Sequence, residues 1–183
     1  MFMGLIARGR RNRRIAADLY GAIVAQARAS ALYAILGVPD TVDGRFEMVV
    51  LHTVVVLDRL NAGGAAGRTL GQRVFDLFCA DMDGSLRDLG VGDLAVPKHM
   101  KHLGGRYYAR AAAYGRVLAD GDADGLAAAL DDSVYAGVPG AGRALARYVV
   151  AAAVALAAEP PDSLHLAPPT FPDPAAFAEE VAA

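Results

Sequence analysis

Hydrophobic residues recur every three to four positions along most of this 183-residue chain. That interval places apolar side chains on one face of an α-helix, whereas the apolar–polar alternation that marks a strand is scarce. Ile15, Leu19, Ile23 and Ala27 form one such stripe within a predicted helix over residues 13–36. The pattern predicts an all-α fold, a single-domain helical bundle of about six to seven helices.

Glycine and proline mark the ends of the predicted helices, since glycine stops a helix and proline cannot continue one. Gly63–Gly67 is predicted to be a flexible joint, and Gly104-Gly105 a kink or an end. Asp93 is the predicted N-cap of the helix after Gly90-Val91-Gly92, and Pro160-Pro161 ends the last helix. With these breaks, helices are expected over residues 13–36, 44–61, 69–89, 93–103, 106–119, 125–132 and 141–158.

The predicted helices over residues 44–61 and 69–89 each have a face that should be buried. In the first, this face carries Phe46, Val49, Val50, Thr53, Leu57 and Leu60. In the second, it carries Leu70, Val74, Leu77, Phe78 and Cys79. Polar residues of the first helix are expected outside or beside its buried face, namely Arg45, Glu47, His52, Asp58 and Arg59.

Both ends of the chain differ in composition from the helical region between them. Residues 1–14 form a basic N-terminal arm, with Arg8, Arg10, Arg11, Arg13 and Arg14, and residues 1–12 should be loose. Residues 15–159 form the predicted helical domain. Residues 160–183 form a Pro-rich tail, because six prolines fall within 160–174, and at most a short turn is expected after Pro174.

Composition narrows the function classes. A net charge of −2 and a pI near 6.0 give the molecule no general attraction to nucleic acid, so no specific nucleic-acid partner is expected. The longest apolar run, Tyr148–Ala158, is too short to span a bilayer, and the N-terminus does not resemble a signal peptide. We expect a cytoplasmic protein, with contact at the inner face of the cytoplasmic membrane left open.

The residues that could carry chemistry do not form a catalytic, cofactor or metal motif. Asp81–Ser85 opens like a calcium loop, but the sixth and twelfth positions are Leu86 and Gly92, so the pattern fails. His99 and His102 share a helical face with two lysines, which favours a solvated basic surface over a zinc site. The single cysteine, Cys79, excludes an internal disulfide and is read as a buried, inert thiol. We expect no cofactor and no enzymatic activity.

A dense polar stretch between Arg73 and Arg116 is the main candidate for binding a partner. Acidic and basic residues alternate there with tyrosines, and arginine and tyrosine are enriched at interaction hot spots. With one residue upstream, the candidate partner-binding residues are Arg45, Asp76, Asp81, Asp83, Arg87, Asp93, Lys98, Lys101, Arg106 and Tyr108.

The same stretch carries a family resemblance. The block Arg73–Lys101 (RVFDLFCADMDGSLRDLGVGDLAVPKHMK) resembles the signature of the ubiquinol–cytochrome c chaperone family. Upstream, Val38–Thr41 and Gly44–Met48 are also similar to that family, and the resemblance covers about residues 15–120. Where the family has Phe-Tyr-Gly-Arg, the chain has Tyr107–Arg110 with alanine in place of glycine, a change that a helix tolerates.

The resemblance implies a helical chaperone and assembly factor for the ubiquinol–cytochrome c reductase (bc1) complex of the respiratory chain. Its client would be newly made cytochrome b or another bc1 subunit, with a small partner protein or a ribosome as a further contact. Because the N-terminus lacks a targeting peptide of the mitochondrial kind, the resemblance is to a bacterial member. The basic arm could hold such a protein at an anionic membrane surface.

Three other functions stay open on the residues alone. A lipid- or quinone-binding helical module would enclose its ligand among the Ala-rich helices and would copurify with lipid. A small metal-dependent enzyme would use His52, His99 or His102 and would carry stoichiometric metal. A structural adaptor unrelated to respiration would be recognised by its partners.

Overall fold

The computed structural model describes residues 2–160 and 162–178, with the side chains of residues 2–9 excepted. The predictions for Met1, Pro161, residues 179–183 and the Arg8 side chain therefore lie outside the described residues. The chain is an all-α single domain, and no strand occurs in the described ranges. The α-helices are α1 (Phe2–Ala27), α2 (Ser30–Ala34), α3 (Val42–Ala62), α4 (Gly64–Asp88), α5 (Val96–Asp120), α6 (Ala123–Ser133) and α7 (Arg143–Ala158).

Helix α3 lies at the centre of the bundle and packs against α1, α4, α5 and α7. The Thr41 hydroxyl accepts a hydrogen bond from the Gly44 amide at 3.1 Å, so an N-cap starts the helix. Residues on every side of α3 are buried, including Met48, Val50 and Val56. A helix that is apolar all round is stable only as the core of a bundle, and α3 takes that place.

The connection between α3 and α4 is one residue long, so the predicted flexible joint over Gly63–Gly67 is wrong. α4 begins at Gly64 and runs antiparallel to α3, with Gly67 and Gly71 against Leu60. Small residues let the two helix backbones approach closely here. The glycines are therefore used for packing rather than for mobility.

The N-terminal region departs twice from the predicted pattern. α1 begins at Phe2, so the predicted loose arm is helical, as leucine, alanine and arginine permit. The predicted helix over residues 13–36 is also broken, because α1 ends at Ala27 and α2 begins at Ser30. The Tyr33 hydroxyl donates to the Ala27 carbonyl at 2.6 Å and satisfies the end of α1. No glycine or proline signals this break.

α5 is one continuous helix through Gly104-Gly105, so the helix does not end there. Asp93 is not its N-cap either: the cap residue is Ala95, and Pro97 lies in the first turn. The Gly92 carbonyl accepts hydrogen bonds from the amides of Ala95 and Val96. The break at Gly90-Val91-Gly92 is confirmed, and Gly90 has a positive φ of 84°.

The Pro-rich tail lies against the bundle. After α7 it forms two 3-10 turns, Ser163–His165 and Pro174–Phe177. The second confirms the short turn expected after Pro174. The first lies where the sequence predicts no turn. The first turn packs against α1, and the second packs against α2 and α7. Leu164 and Pro174 are buried in these contacts.

Candidate functional site

The segment that carries the polar stretch folds into a helical hairpin of α4 and α5. We call residues 89–95, which join the two helices, the hairpin tip. Leu94 is 100% exposed and Leu89 is 62% exposed, so the tip presents two leucines to solvent. These two leucines make the tip a candidate contact surface.

An ion network holds the base of the hairpin tip. Arg87 Nε donates to Asp83 Oδ2 at 2.7 Å, and Arg87 also pairs with Asp93. These side chains are exposed, so the network adds little stability, but it ties the end of α4 to Asp93 in the second half of the tip. Lys98 and Lys101 are exposed on the first turns of α5 beyond it. The tip therefore combines apolar side chains with charges of both signs.

Four aromatic rings pack against one another between α4 and α5. Phe75 lies 4.9 Å from Tyr107 and 6.1 Å from Tyr108, measured between ring centroids, and Phe78 lies 5.4 Å from Tyr107. Tyr107 is buried, whereas Tyr108 is 63% exposed. The four rings therefore extend from the buried core of the bundle to the exposed face of the hairpin.

The most buried charge of the described residues is Glu47 on α3, with 1% of its surface exposed. Its carboxylate accepts hydrogen bonds from Arg106 Nη2 at 2.8 Å and from Arg110 Nε at 3.1 Å, both on α5. Arg106 also pairs with Asp43 at 2.7 Å and lies 4.6 Å from the centre of the Phe46 ring. This cluster fixes α5 across the N-terminal half of α3, which sets the position of the hairpin.

The remaining candidate residues lie in separate places. Asp81 accepts a hydrogen bond from the Tyr20 hydroxyl at 2.7 Å, linking α4 to α1. Asp76 accepts from Gln72 on the exposed side of α4. Arg45 forms an exposed pair with Asp40. The structure thus brings together Asp83, Arg87 and Asp93 at the hairpin tip. Lys98 and Lys101 follow on the first turns of α5, and Arg45, Asp76, Asp81, Arg106 and Tyr108 lie elsewhere.

His52 belongs to a buried chain of hydrogen bonds. Its Nδ1 lies 2.7 Å from the Met48 carbonyl, which can only accept, so Nδ1 carries the proton. The Tyr148 hydroxyl, 2.7 Å from His52 Nε2, must therefore donate to that nitrogen. Gln26 Nε2 in turn donates to the Tyr148 oxygen at 3.0 Å. Burial lowers the pKa of His52 from 6.5 to about 4, so the ring is neutral at pH 7.

The sequence pattern predicts Glu47 and His52 outside or beside the buried face of their helix. This prediction is wrong, because both side chains are buried. The helix is covered on all sides, and each residue has its own polar partners. The pairing of Glu47 with two arginines about sixty positions away leaves no local signal. The exposed leucines of the hairpin tip were also missed, although the short Gly-Val-Gly-Asp-Leu sequence indicates a loop.

A metal site, a reactive thiol, a ligand pocket or a membrane span would each need particular residues, and the structure gives the surroundings of each. His99 and His102 are exposed on α5, and burial, with Asp76 nearby, raises the pKa of the half-buried Cys79 thiol. Within the described ranges, no group of three or more potential ligands could hold a metal ion. Two open clefts of about 490 and 440 Å³ both include charged side chains in their lining. No described helix is long and apolar enough to cross a bilayer.

A family model and a solved structure both match this chain. The family model described as Ubiquinol-cytochrome C chaperone matches residues 34–171, which include α3, the whole α4–α5 hairpin and α7. The crystal structure of the Cbp3 homolog from Brucella abortus is similar, with a TM-score of 0.86 and 36% sequence identity. That similarity covers 95% of this chain and 98% of the Brucella chain. No curated protein matches the sequence.

Proposed function

Because this chain belongs to the ubiquinol-cytochrome C chaperone family, we propose that it is a non-enzymatic assembly factor that binds newly made cytochrome b. The contact surface in this proposal is the α4–α5 hairpin, with its tip and the exposed Tyr108. A client that is to become a membrane protein presents apolar segments, which need cover until they are inserted.

The observation that carries the proposal is the exposure of Leu89 and Leu94 at the hairpin tip, within the segment that the family model matches. Exposed apolar side chains of this kind suit an apolar client segment, because contact removes both surfaces from water. The surrounding charges of Asp83, Arg87 and Lys98 supply orientation and discrimination between partners. Buried polar groups elsewhere, such as Glu47, are occupied in holding helices together.

The proposal includes where the protein acts. Its site would be the inner face of the cytoplasmic membrane, reached from the cytoplasm, with the exposed arginines of α1 drawn to anionic lipid. A small partner protein or the ribosome would be a second contact. Neither contact requires catalysis.

A crosslinked pull-down of the tagged protein from its own cells tests the client. We expect cytochrome b, or another bc1 subunit, among the proteins identified by mass spectrometry. The variant Leu89→Asp/Leu94→Asp should lose that capture, because charges replace the apolar contact. The matched control is Val154→Asp, which places a charge at an exposed position of α7 and should capture the client normally.

Two results would contradict the proposal. Equal capture by the wild type and the Leu89→Asp/Leu94→Asp variant would remove the hairpin tip from the contact. A pull-down without any respiratory subunit, from a preparation that carries stoichiometric lipid or quinone, would favour the alternative of a lipid-binding module.

A further inference from the structure

The tail, residues 162–178, lies on the bundle in the way that a bound peptide lies on its receptor. It runs back along α7 between that helix and the α1–α2 region. Its backbone amides that form hydrogen bonds do so with acceptors inside the tail or with Pro160. Its four prolines, at 168, 169, 172 and 174, have no amide hydrogen to give. Extended proline-rich segments are bound in this manner by grooves with aromatic walls.

Two hydrogen bonds join the described tail to the bundle, and in both a tail carbonyl accepts. Gln26 Nε2 donates to the Pro172 carbonyl at 3.3 Å, and Arg147 Nη2 donates to the Phe177 carbonyl at 3.2 Å. Both donors are side chains. The Pro172 carbonyl belongs to the extended stretch 168–173, and the Phe177 carbonyl belongs to the 3-10 turn Pro174–Phe177. Because both acceptors are backbone carbonyls, the polar recognition depends on this backbone course and not on the side chains of the tail.

Aromatic contacts supply the side-chain recognition. The Phe171 ring meets the His52 ring edge-on at 5.3 Å between centroids, and Phe177 meets Tyr148 edge-on at 5.8 Å. His52 and Tyr148 are held in place by the buried hydrogen-bond chain from Gln26, so the floor of the groove is preorganised. Preorganised walls reduce the entropy cost of binding.

We propose that this groove is a peptide-binding site whose resident occupant is the chain's own tail. A partner's proline-rich segment that takes the same course, extended and then turned, with aromatic side chains in the places of Phe171 and Phe177, displaces the tail and binds there. The groove lies on α1, α3 and α7, so this site is separate from the α4–α5 hairpin. The inference does not depend on which client the hairpin binds.

The test uses the full chain and a fluorescently labelled peptide with the sequence of residues 162–178. In the wild type the attached tail competes at an effective concentration on the order of millimolar, so the labelled peptide should bind weakly. The variant Phe171→Ala/Phe177→Ala weakens the attached tail and should bind the peptide at least ~10-fold more tightly in fluorescence anisotropy. Adding Gln26→Ala to that variant should reduce the binding again by roughly 5-fold.

Matched controls separate the groove from other surfaces. Leu166→Ala changes an exposed tail residue and should leave binding as weak as in the wild type. A peptide with alanine at both phenylalanine positions should not bind the weakened-tail variant. Equal affinity of the wild type and that variant would overturn the proposal, and so would an absence of binding to a variant that circular dichroism shows to be folded.

If the double variant does not fold, amide hydrogen exchange in the wild-type protein decides the question. A displaceable tail opens without global unfolding, so the amides of Leu166 and Ala176 should exchange roughly 100-fold faster than those in the middle of α3. Exchange of tail and α3 amides at one common rate would mean that the tail leaves only when the protein unfolds, and would overturn the proposal.

Discussion

Glu47 and His52 show how single buried polar residues determine the packing of this bundle. Each lies on α3, the helix with apolar residues on all sides, and each has hydrogen-bond partners distant in sequence. A buried polar group is tolerated only when its hydrogen bonds are satisfied. A register shift of α5 or α7 along α3 would leave one of these groups unpaired, so the pairs select a single arrangement of the helices.

Replacing Glu47 with glutamine should destabilise the protein by about 2 kcal/mol in urea unfolding, because two arginines lose their shared carboxylate. The value is less than for a fully buried pair, since the Arg106 and Arg110 side chains are 24% and 26% exposed. Asp43→Asn is the matched control. It removes an exposed partner of Arg106 and should cost no more than about 0.5 kcal/mol. Equal losses from the two substitutions would contradict the role given to Glu47.

His52 should make the protein less stable at acidic pH. Its pKa is lowered to about 4 in the folded state, so below pH 6.5 the unfolded chain binds a proton that the folded chain resists. The stabilisation that comes from keeping His52 neutral is fully present above pH 6.5. The free energy of unfolding then falls by up to about 1.4 kcal/mol per pH unit as the pH approaches 4. In His52→Gln, the difference in unfolding free energy between pH 7 and pH 5 should shrink by about 2 kcal/mol, whereas in the exposed-site control His99→Gln it should not change.

At the scale of the elements, the contact between α3 and α4 depends on Gly67, because no larger residue fits at that position. A methyl group at Gly67 would overlap the Leu60 carbonyl, so Gly67→Ala must push the two helices apart. We expect a loss of at least about 2 kcal/mol in urea unfolding. Gly84→Ala, in the same helix with open space around it, should instead gain up to about 1 kcal/mol. A neutral Gly67→Ala would show that the close approach can relax.

The existence of most helices could be predicted from the sequence, because a stripe of apolar residues is a local signal. The breaks could not. Gly104-Gly105 was expected to interrupt α5, but two glycines cost a helix only about 2 kcal/mol, which the packing of Tyr107 and Met100 offsets. The break after Ala27 is the opposite case, because no glycine or proline marks it and the Tyr33 hydroxyl satisfies the end of α1.

The sequence predicts which segment carries the candidate site, but it does not predict which side chains of that segment share a surface. The block Arg73–Lys101 was recognised as a unit, and it forms most of the hairpin. Which of its residues share a face depends on where the turn falls and how the helices cross. Asp93 illustrates this: the same residue that a local pattern makes an N-cap is, in the folded chain, a partner of Arg87.

At the scale of the whole molecule, charge is unevenly distributed. The net charge is −2, yet Arg10, Arg11, Arg13 and Arg14 are all exposed on α1. Such a cluster attracts an anionic surface at short range, and salt weakens that attraction. It is the basis of the membrane contact in the proposed function.

Vesicle co-sedimentation tests that contact. The wild type should sediment with vesicles containing phosphatidylglycerol and not with pure phosphatidylcholine. Changing the four arginines to glutamine should weaken this binding by about 100-fold or more, at roughly 1 kcal/mol for each basic residue. Changing Arg68 and Arg116, two exposed arginines elsewhere, should have little effect. Unaltered sedimentation of the four-residue variant would exclude the cluster as the membrane contact.

The central position of α3 has a consequence for how the protein is made. The hydroxyl that completes the His52 hydrogen-bond chain belongs to Tyr148, 96 residues later in the sequence. At a synthesis rate of about 5–20 residues per second, α3 waits roughly 5–20 seconds for the helix that covers it. During that interval α3, the helix with the most buried residues among those described, is only partly enclosed. A chain truncated before α7 is therefore prone to aggregate, so the yield of native protein depends on the last quarter of the message.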